Sequence, residues 1–250
     1  MQSWALSSWN FLKRTPTLVF AMAVLGLGLT SASGVLVRGI RTANDTITVT
    51  GASTERITSD YVDWSVEVSQ SGASKQASYQ GLQPAVEQTV AFLKAQGIEA
   101  DEMELDSVKS QKEEVRDPRT GELRSTTWTT TQVVLIGSWN VTKIYKISGQ
   151  IGQLIGKGVP LTINEPAYTY TKLAEKRVDM LAKATKDAGA RARAIAWEAG
   201  VGIGAITNAD TGSFQITPPN STETSDSGSY DTRTIEKDIT AVMAVTFRVE

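Results

Sequence analysis

Between Asp60 and Ser71 the chain alternates cleanly: Val62, Trp64, Val66 and Val68 fall on one side, Asp63, Ser65, Glu67 and Ser69 on the other. A period of two marks a half-buried strand. Residues 46–51 (TITVTG) form a shorter β-rich run closed by glycine and read as a strand before it. After Gly72 the period changes. Leu82, Val86, Thr89 and Leu93, with Ala85, Phe92 and Gln96 alongside, make one helical stripe, and Gly97 supplies its stop. Pro84 removes a backbone donor inside this helix and predicts a kink near Gln80 and Gly81.

Extended runs return at 103–115 and 125–141, joined by the turn Asp117-Pro118-Arg119-Thr120-Gly121, so the pair predicts a long hairpin. In its second arm Val133, Leu135, Trp139 and Val141 share a face, and Gly137 breaks the row. Thr142 reads as a helix cap for Ile144, Ile147, Ile151, Leu154 and Ile155, which follow at helical spacing until Gly156 and Gly158. Residues 161–171 predict another strand, with Pro166 at an edge or bulge. Residues 172–199 carry the strongest helical pattern, with Leu173, Met180, Leu181, Ala184, Ala188, Ile195 and Ala199 inward and Gly200 at the close. The last strands are 201–217 and 235–249, joined by residues 218–234, a segment too polar to fold by itself. This order predicts an α+β domain over 46–250: an antiparallel-rich sheet with long helices packed on one face.

The pattern before residue 46 is different. Residues 15–37 carry no charge, with Lys13 and Arg14 before them and Arg38 and Arg41 after. At 1.5 Å per residue a helix there reaches roughly 35 Å, enough for a hydrocarbon core of about 30 Å. The chain therefore divides into a short cytoplasmic flank (1–14), a transmembrane anchor (15–37), a linker (38–45) and the α+β domain. A signal peptide is the competing reading, with Thr30, Ser31, Ala32 and Ser33 as the small-residue cleavage site. Val35, Leu36 and Val37 resume the apolar run beyond that site, which favours a retained anchor. Two basic residues on each side leave the positive-inside rule nearly tied, and Trp4, Trp9 and Phe11 suit either interface. The short N-terminal flank makes a cytoplasmic N-terminus the simpler arrangement.

Composition narrows the chemistry. Of 25 Lys and Arg, four belong to the anchor, leaving 21 against 27 Asp and Glu, a net of −6 for the remainder. A nucleic-acid partner or an anionic membrane surface would want the opposite sign. The chain has no Cys and no His. That excludes disulfides, thiol nucleophiles, Cys/His zinc sites and Ser-His-Asp arrangements together.

The remaining motifs resolve into structure. Gly149, Gly152, Gly156, Lys157 and Gly158 invite a phosphate-loop reading, but position 151 is Ile where that motif needs Gly, and Gly158 stands where it needs Ser or Thr. Glu113, Glu114 and Asp117 lie beside Lys112, Arg116 and Arg119 and read as a solvated hairpin tip. Asp101, Glu102 and Glu104 read as solvated linker. Lys183, Lys186, Arg191 and Arg193 interleave with Glu175, Asp179 and Asp187, a self-screened helix face. Tyr168, Tyr170, Trp64, Trp128, Trp139 and Trp197 read as core or interface, with a binding groove as the functional alternative. The N-x-S/T triplets at Asn44, Asn140 and Asn220 read as accidental. No catalytic, cofactor-binding or metal residue is assigned.

From Thr46 onward the chain carries ITVTGASTERITSDYVDWSVEVS, AFLKAQGI, GVPLTINEPAYTYTKL, LAKATKDAGARARAIAWEAGVGIG and DITAVMAVTFRV. In these segments it resembles the SIMPL-domain family of bacterial envelope proteins, long catalogued as a domain of unknown function. The resemblance implies an α+β domain facing the periplasm, often on an N-terminal anchor or signal, which breaks the orientation tie towards a single inner-membrane pass with the C-terminal domain in the periplasm. Some relatives form large ring-shaped homo-oligomers, and some are linked to stress tolerance. No catalytic residues transfer from the family. The expectation is a non-enzymatic, membrane-anchored, self-assembling periplasmic protein without cofactor. The alternative is a monomeric binding module for a small ligand or partner protein, secreted to the periplasm if the N-terminal segment is cleaved.

Overall fold

The computed structural model describes residues 45–221 and 228–250. The anchor segment 15–37 and its flanks lie outside the described residues. Among those described, no helix is long and apolar enough to cross a membrane.

The fold is mixed α+β, with two sheets and few helices. Strands β1 (Thr46–Thr58) and β2 (Tyr61–Gly72) precede helix α1 (Lys75–Ala95), and a 3₁₀ turn (Ala100–Glu102) leads to β3 (Met103–Leu105), β4 (Lys109–Arg116) and β5 (Leu123–Ser138). Helices α2 (Val141–Gln150) and α3 (Gln153–Gly156), strands β6 (Leu161–Ile163) and β7 (Ala167–Thr169), and helix α4 (Leu173–Glu198) follow, then β8 (Ile203–Thr217), β9 (Ser229–Tyr230) and β10 (Glu236–Val249). The single sheet expected from the sequence is two: one in the order β1-β10-β8-β9, the other β3-β5-β2-β6, with β4 on β5 and β7 on β2. The described chain forms two compact units.

The larger unit comprises Ala52–Lys183 and Gly212–Val242. Its centre is β2, antiparallel to β5 along its whole length, from Val62 opposite Ser138 to Gly72 opposite Trp128. The alternation read from the sequence holds, with Val62, Trp64, Val66 and Val68 all buried. Helix α1 lays Leu82, Val86, Thr89 and Leu93 inward, capped by Ser74, whose Oγ accepts from the Ala77 N–H at 3.1 Å. The helix runs through Pro84.

Several local expectations are corrected. The face of β5 on the core is Thr130, Val134, Ile136 and Ser138, whereas Leu135 and Trp139 are exposed. Residues 133–136 are apolar on both parities, so periodicity could not choose between them; the register with β2 chooses. Asn140, not Thr142, caps α2, its Oδ1 accepting from Lys143 N–H at 3.0 Å. The helix expected over Ile144–Ile155 breaks at Ile151 and Gly152 into α2 and α3, while Ile144, Ile147, Ile151 and Leu154 stay buried and Ile155 does not. The strand expected over 161–171 divides at Pro166 into β6 and β7, which clamp β2 at Val66 to Val68 and at Tyr61 to Asp63. A second apolar cluster in this unit joins Ile57, Met180, Ile216, Ile239 and Ala241.

The smaller unit comprises, among described residues, 45–51, Ala184–Thr211 and Met243–Glu250. Its helical segment buries Ala184, Ala188, Ala192 and Ala196. Ile195 and Trp197 point outward, Trp197 being 81% exposed, so the inward face is narrower than the sequence pattern suggested. Alanine at every fourth position brings helix and strand backbones close. A Cβ on Gly51 would collide with the Ala184 carbonyl oxygen and the Ala188 nitrogen, so only glycine fits there without a shift. Thr48 and Thr246 share a hydroxyl–hydroxyl hydrogen bond of 2.9 Å across this unit's strands.

Candidate functional site

Strand period builds the wall of a cleft in which acidic side chains gather. Because Val62 and Trp64 face the core, Tyr61 and Asp63 face out. Asp63 stands opposite Gly137 in the β2–β5 register. The Tyr61 hydroxyl occupies the place a Cβ would take on Gly137, so glycine there lets the ring lie down on the sheet. Trp139 meets Tyr61 edge-on, ring centroids 4.9 Å apart at 66°, and is 69% exposed. The 3₁₀ turn and β3 add Asp101, Glu102 and Glu104, and the β6–β7 junction adds Glu165, enclosing an open cleft of about 520 Å³. Trp64 forms its inner side, with Nε1–H donating to the Asn164 carbonyl at 2.9 Å.

The sequence reading of Asp101, Glu102 and Glu104 as solvated holds for Asp101 and Glu104, which are exposed, and is corrected at Glu102, which is half-buried. Glu102 accepts from Lys143 Nζ at 2.6 Å, from Ser138 Oγ at 2.5 Å and, through its reciprocal cap with Glu99, from the Glu99 N–H at 3.0 Å. Burial pushes its carboxyl up, but Lys143, Ser138 and the Glu99 amide together hold it below the usual carboxylate range. A general acid at neutral pH needs a raised value, so Glu102 is an ionised strut. Ser138 Oγ also accepts from Asn140 N–H at 3.0 Å, and Ser65 Oγ accepts from Asn164 Nδ2 at 2.9 Å. The Ser65 and Ser138 hydroxyls are thus engaged in holding the cleft's walls. The mouth of the cleft is negatively charged and has an aromatic side. Among the described residues, no cluster of carboxylates has the geometry to hold a metal.

The other sequence candidates take structural places. Glu114 pairs with Lys112 at 2.5 Å and Arg116 at 2.7 Å, and Asp117 accepts from the Arg119 and Thr120 amides at 2.8 and 3.3 Å, fixing the hairpin turn as its composition indicated. Lys183 bridges Glu55 and Asp179 at 2.6 and 2.8 Å, and Arg191 pairs with Asp187 at 2.8 Å. Tyr168 is buried, and burial pushes its hydroxyl up. Gly158 has φ +88 and ends α3, in keeping with a helix stop. Asn140 is a cap, and Asn220, at φ +60, has its N–H on Asp238 at 2.9 Å.

Sequence reasoning missed one cluster. Lys237 is fully buried, its ammonium donating to the Thr234 carbonyl and lying 3.4 Å from Asp231. Asp231 also accepts from Thr234 N–H at 3.0 Å, Thr234 Oγ1 at 2.6 Å and Arg233 Nε at 3.1 Å. Burial pushes Asp231 up, yet these donors bring it down to about 2. Burial lowers Lys237, with Asp231 opposing. The segment 218–234, read as unable to fold alone, is therefore pinned at its C-terminal end. The signal lay in Asp231, Arg233, Thr234 and Lys237 within one short run, but burial was not visible.

A comparison with family models matches residues 47–247 to SIMPL, described as a protein of unknown function (DUF541). Among curated proteins nothing matches the chain.

Proposed function

We propose, for a chain that belongs to the SIMPL family, a non-enzymatic protein of the bacterial envelope that self-associates. Residues 15–37 hold it in the inner membrane and the domain after residue 45 faces the periplasm. The observation carrying self-association is strand β8. From Ala205 to Thr211 every residue is exposed, on both faces of the strand, although β1 and β10 in the same sheet each bury residues on one face. A strand uncovered on both sides is a surface awaiting a neighbour. The absence of His and Cys, and the engagement of the Ser65 and Ser138 hydroxyls, support a role without catalysis. The test is the mass of the full chain in mild detergent, by light scattering on a size-exclusion column over a concentration series. A defined oligomer is the expected result, and a monomer at every concentration overturns the reading.

The cleft at Tyr61 and Asp63 favours a second reading, a monomeric binding module for a small ligand. A ligand that binds only the folded chain raises its melting temperature. Thermal-shift screening with small envelope solutes checks this, and a shift that survives Tyr61→Ala removes the cleft from consideration.

A further inference from the structure

Resting on the reading that residues 15–37 span the membrane, the path of the chain turns one end of the smaller unit towards the lipid. Val37, the last residue of the apolar run, is eight residues from Asp45, and eight residues reach no more than roughly 29 Å. Asp45 is tied down where the domain begins, its carbonyl accepting from the Val249 N–H at 2.9 Å. Gly202 and Glu250 exchange both backbone hydrogen bonds, at 2.8 and 3.0 Å, and the Val201 N–H donates to the Ala196 carbonyl at 2.9 Å. The start of β1, the end of β10, the start of β8 and the last turn of α4 therefore share one end of the unit, and the anchor holds that end close. β8 runs away from it: Gly212, ten residues beyond Gly202, lies against Val242, roughly 33 Å along the strand.

The tethered end carries Trp197, the most exposed large apolar side chain among the described residues at 81%, and Val201, which is 40% exposed. α4 meets the unit's interior with Ala188, Ala192 and Ala196, so the indole takes no part in that packing. Tryptophan prefers the interfacial layer of a bilayer, where its ring lies among the headgroups and its N–H keeps a partner. Asp45, Glu198 and Glu250 stand at this end with Arg193 and Arg248, so the described residues form no basic cluster to select an anionic headgroup. The tether makes the contact intramolecular, and even a weak preference for the interface is then populated. We infer that this end of the smaller unit docks on the membrane surface, with the Trp197 indole in the interfacial layer of zwitterionic lipid.

The chain's lack of cysteine makes the test direct. Single cysteines, Ala199→Cys beside Trp197 and Ala209→Cys on β8, are spin-labelled in the full chain, reconstituted in phosphatidylcholine nanodiscs. Both positions are exposed, and Ala209 lies roughly 23 Å along β8 from Gly202. Each label reads its collisions with oxygen, which dissolves in lipid, and with a water-soluble nickel chelate. The ratio of oxygen to nickel collisions at 199 is expected to exceed that at 209 severalfold, and adding Trp197→Ser to bring it down to the value at 209. Equal ratios at 199 and 209, in a chain that co-elutes with the discs, overturn the docking and leave the anchor standing. A high ratio at 199 that ignores Trp197→Ser overturns the part given to the indole. Spin–spin broadening at 199 with no gain in oxygen access means that a second copy covers this end, and overturns the lipid contact. A chain that never enters the discs overturns the anchor and the docking together.

Discussion

Strands β2 and β8 show how little of a strand's fate lies in its own residues. Both are rich in β-branched and small side chains. β2 is paired on both edges, by β5 on one and by β6 and β7 on the other, and α1 covers one face. Its alternate residues have nowhere to go but inward. β8 over 203–211 has β10 on one edge and no strand on the other among the described residues, and Ala205 to Thr211 are exposed at either parity. The difference is one of neighbours. Burial energy collects where a second layer exists, and a strand without one keeps its hydrogen-bonding edge for something else.

That contrast can be broken or sharpened by substitution. Val66→Asp puts an unpaired carboxylate at the fully buried centre of β2 and is expected to cost upward of about 4 kcal/mol, read as loss of the cooperative transition in urea. Asp231→Ala strands the buried Lys237 ammonium and is expected to cost about 3 kcal/mol. Adding Lys237→Met should recover most of that, and a double-mutant cycle in urea measures the recovery. Acid tests the same pair. Asp231 sits at about 2 when folded against an ordinary 3.8, so its stabilisation is complete above the ordinary value and is lost as pH falls through the folded one. The expected loss is roughly 2 kcal/mol between pH 5 and pH 2, and Asp231→Asn should flatten that part of the stability profile. At the small end, Ala209→Glu on β8, at an exposed position, is expected to shift the monomer's stability by less than about 0.5 kcal/mol. A larger effect would mean that β8 is covered within its own chain.

The parts of the fold that the sequence disclosed are those where one physical requirement acts alone. Val62 to Val68 alternate because one face is wet, and Leu82 to Leu93 repeat at helical spacing because one stripe is dry. Asp117 to Gly121 spell a turn. Where two requirements compete, the pattern was silent. Residues 133–136 are apolar on both faces of β5, so only pairing with β2 could choose the buried set. Pro166 predicted a disturbance, but not that two separate strands would clamp β2 on either side of it. The cleft was least legible. Asp63, Asp101, Glu102 and Glu165 come from three segments that look like ordinary solvated positions, and only the pairing of β2, β3, β5 and β7 brings them together. Lys237 was hidden for a related reason, since nothing in a short polar run announces that a lysine will be enclosed.

The ladder of Ala184, Ala188, Ala192 and Ala196 against Gly51 has a consequence for how this protein comes apart. Alanine has no rotamers to freeze, so ordering this stretch costs little side-chain entropy. It also removes little apolar area from water, and both heat capacity and denaturant sensitivity scale with that area. Opening of the ladder would therefore be nearly invisible in a calorimeter or a urea titration. Amide hydrogens would report it instead, since backbones that approach this closely must separate before solvent can reach the helix carbonyls between them.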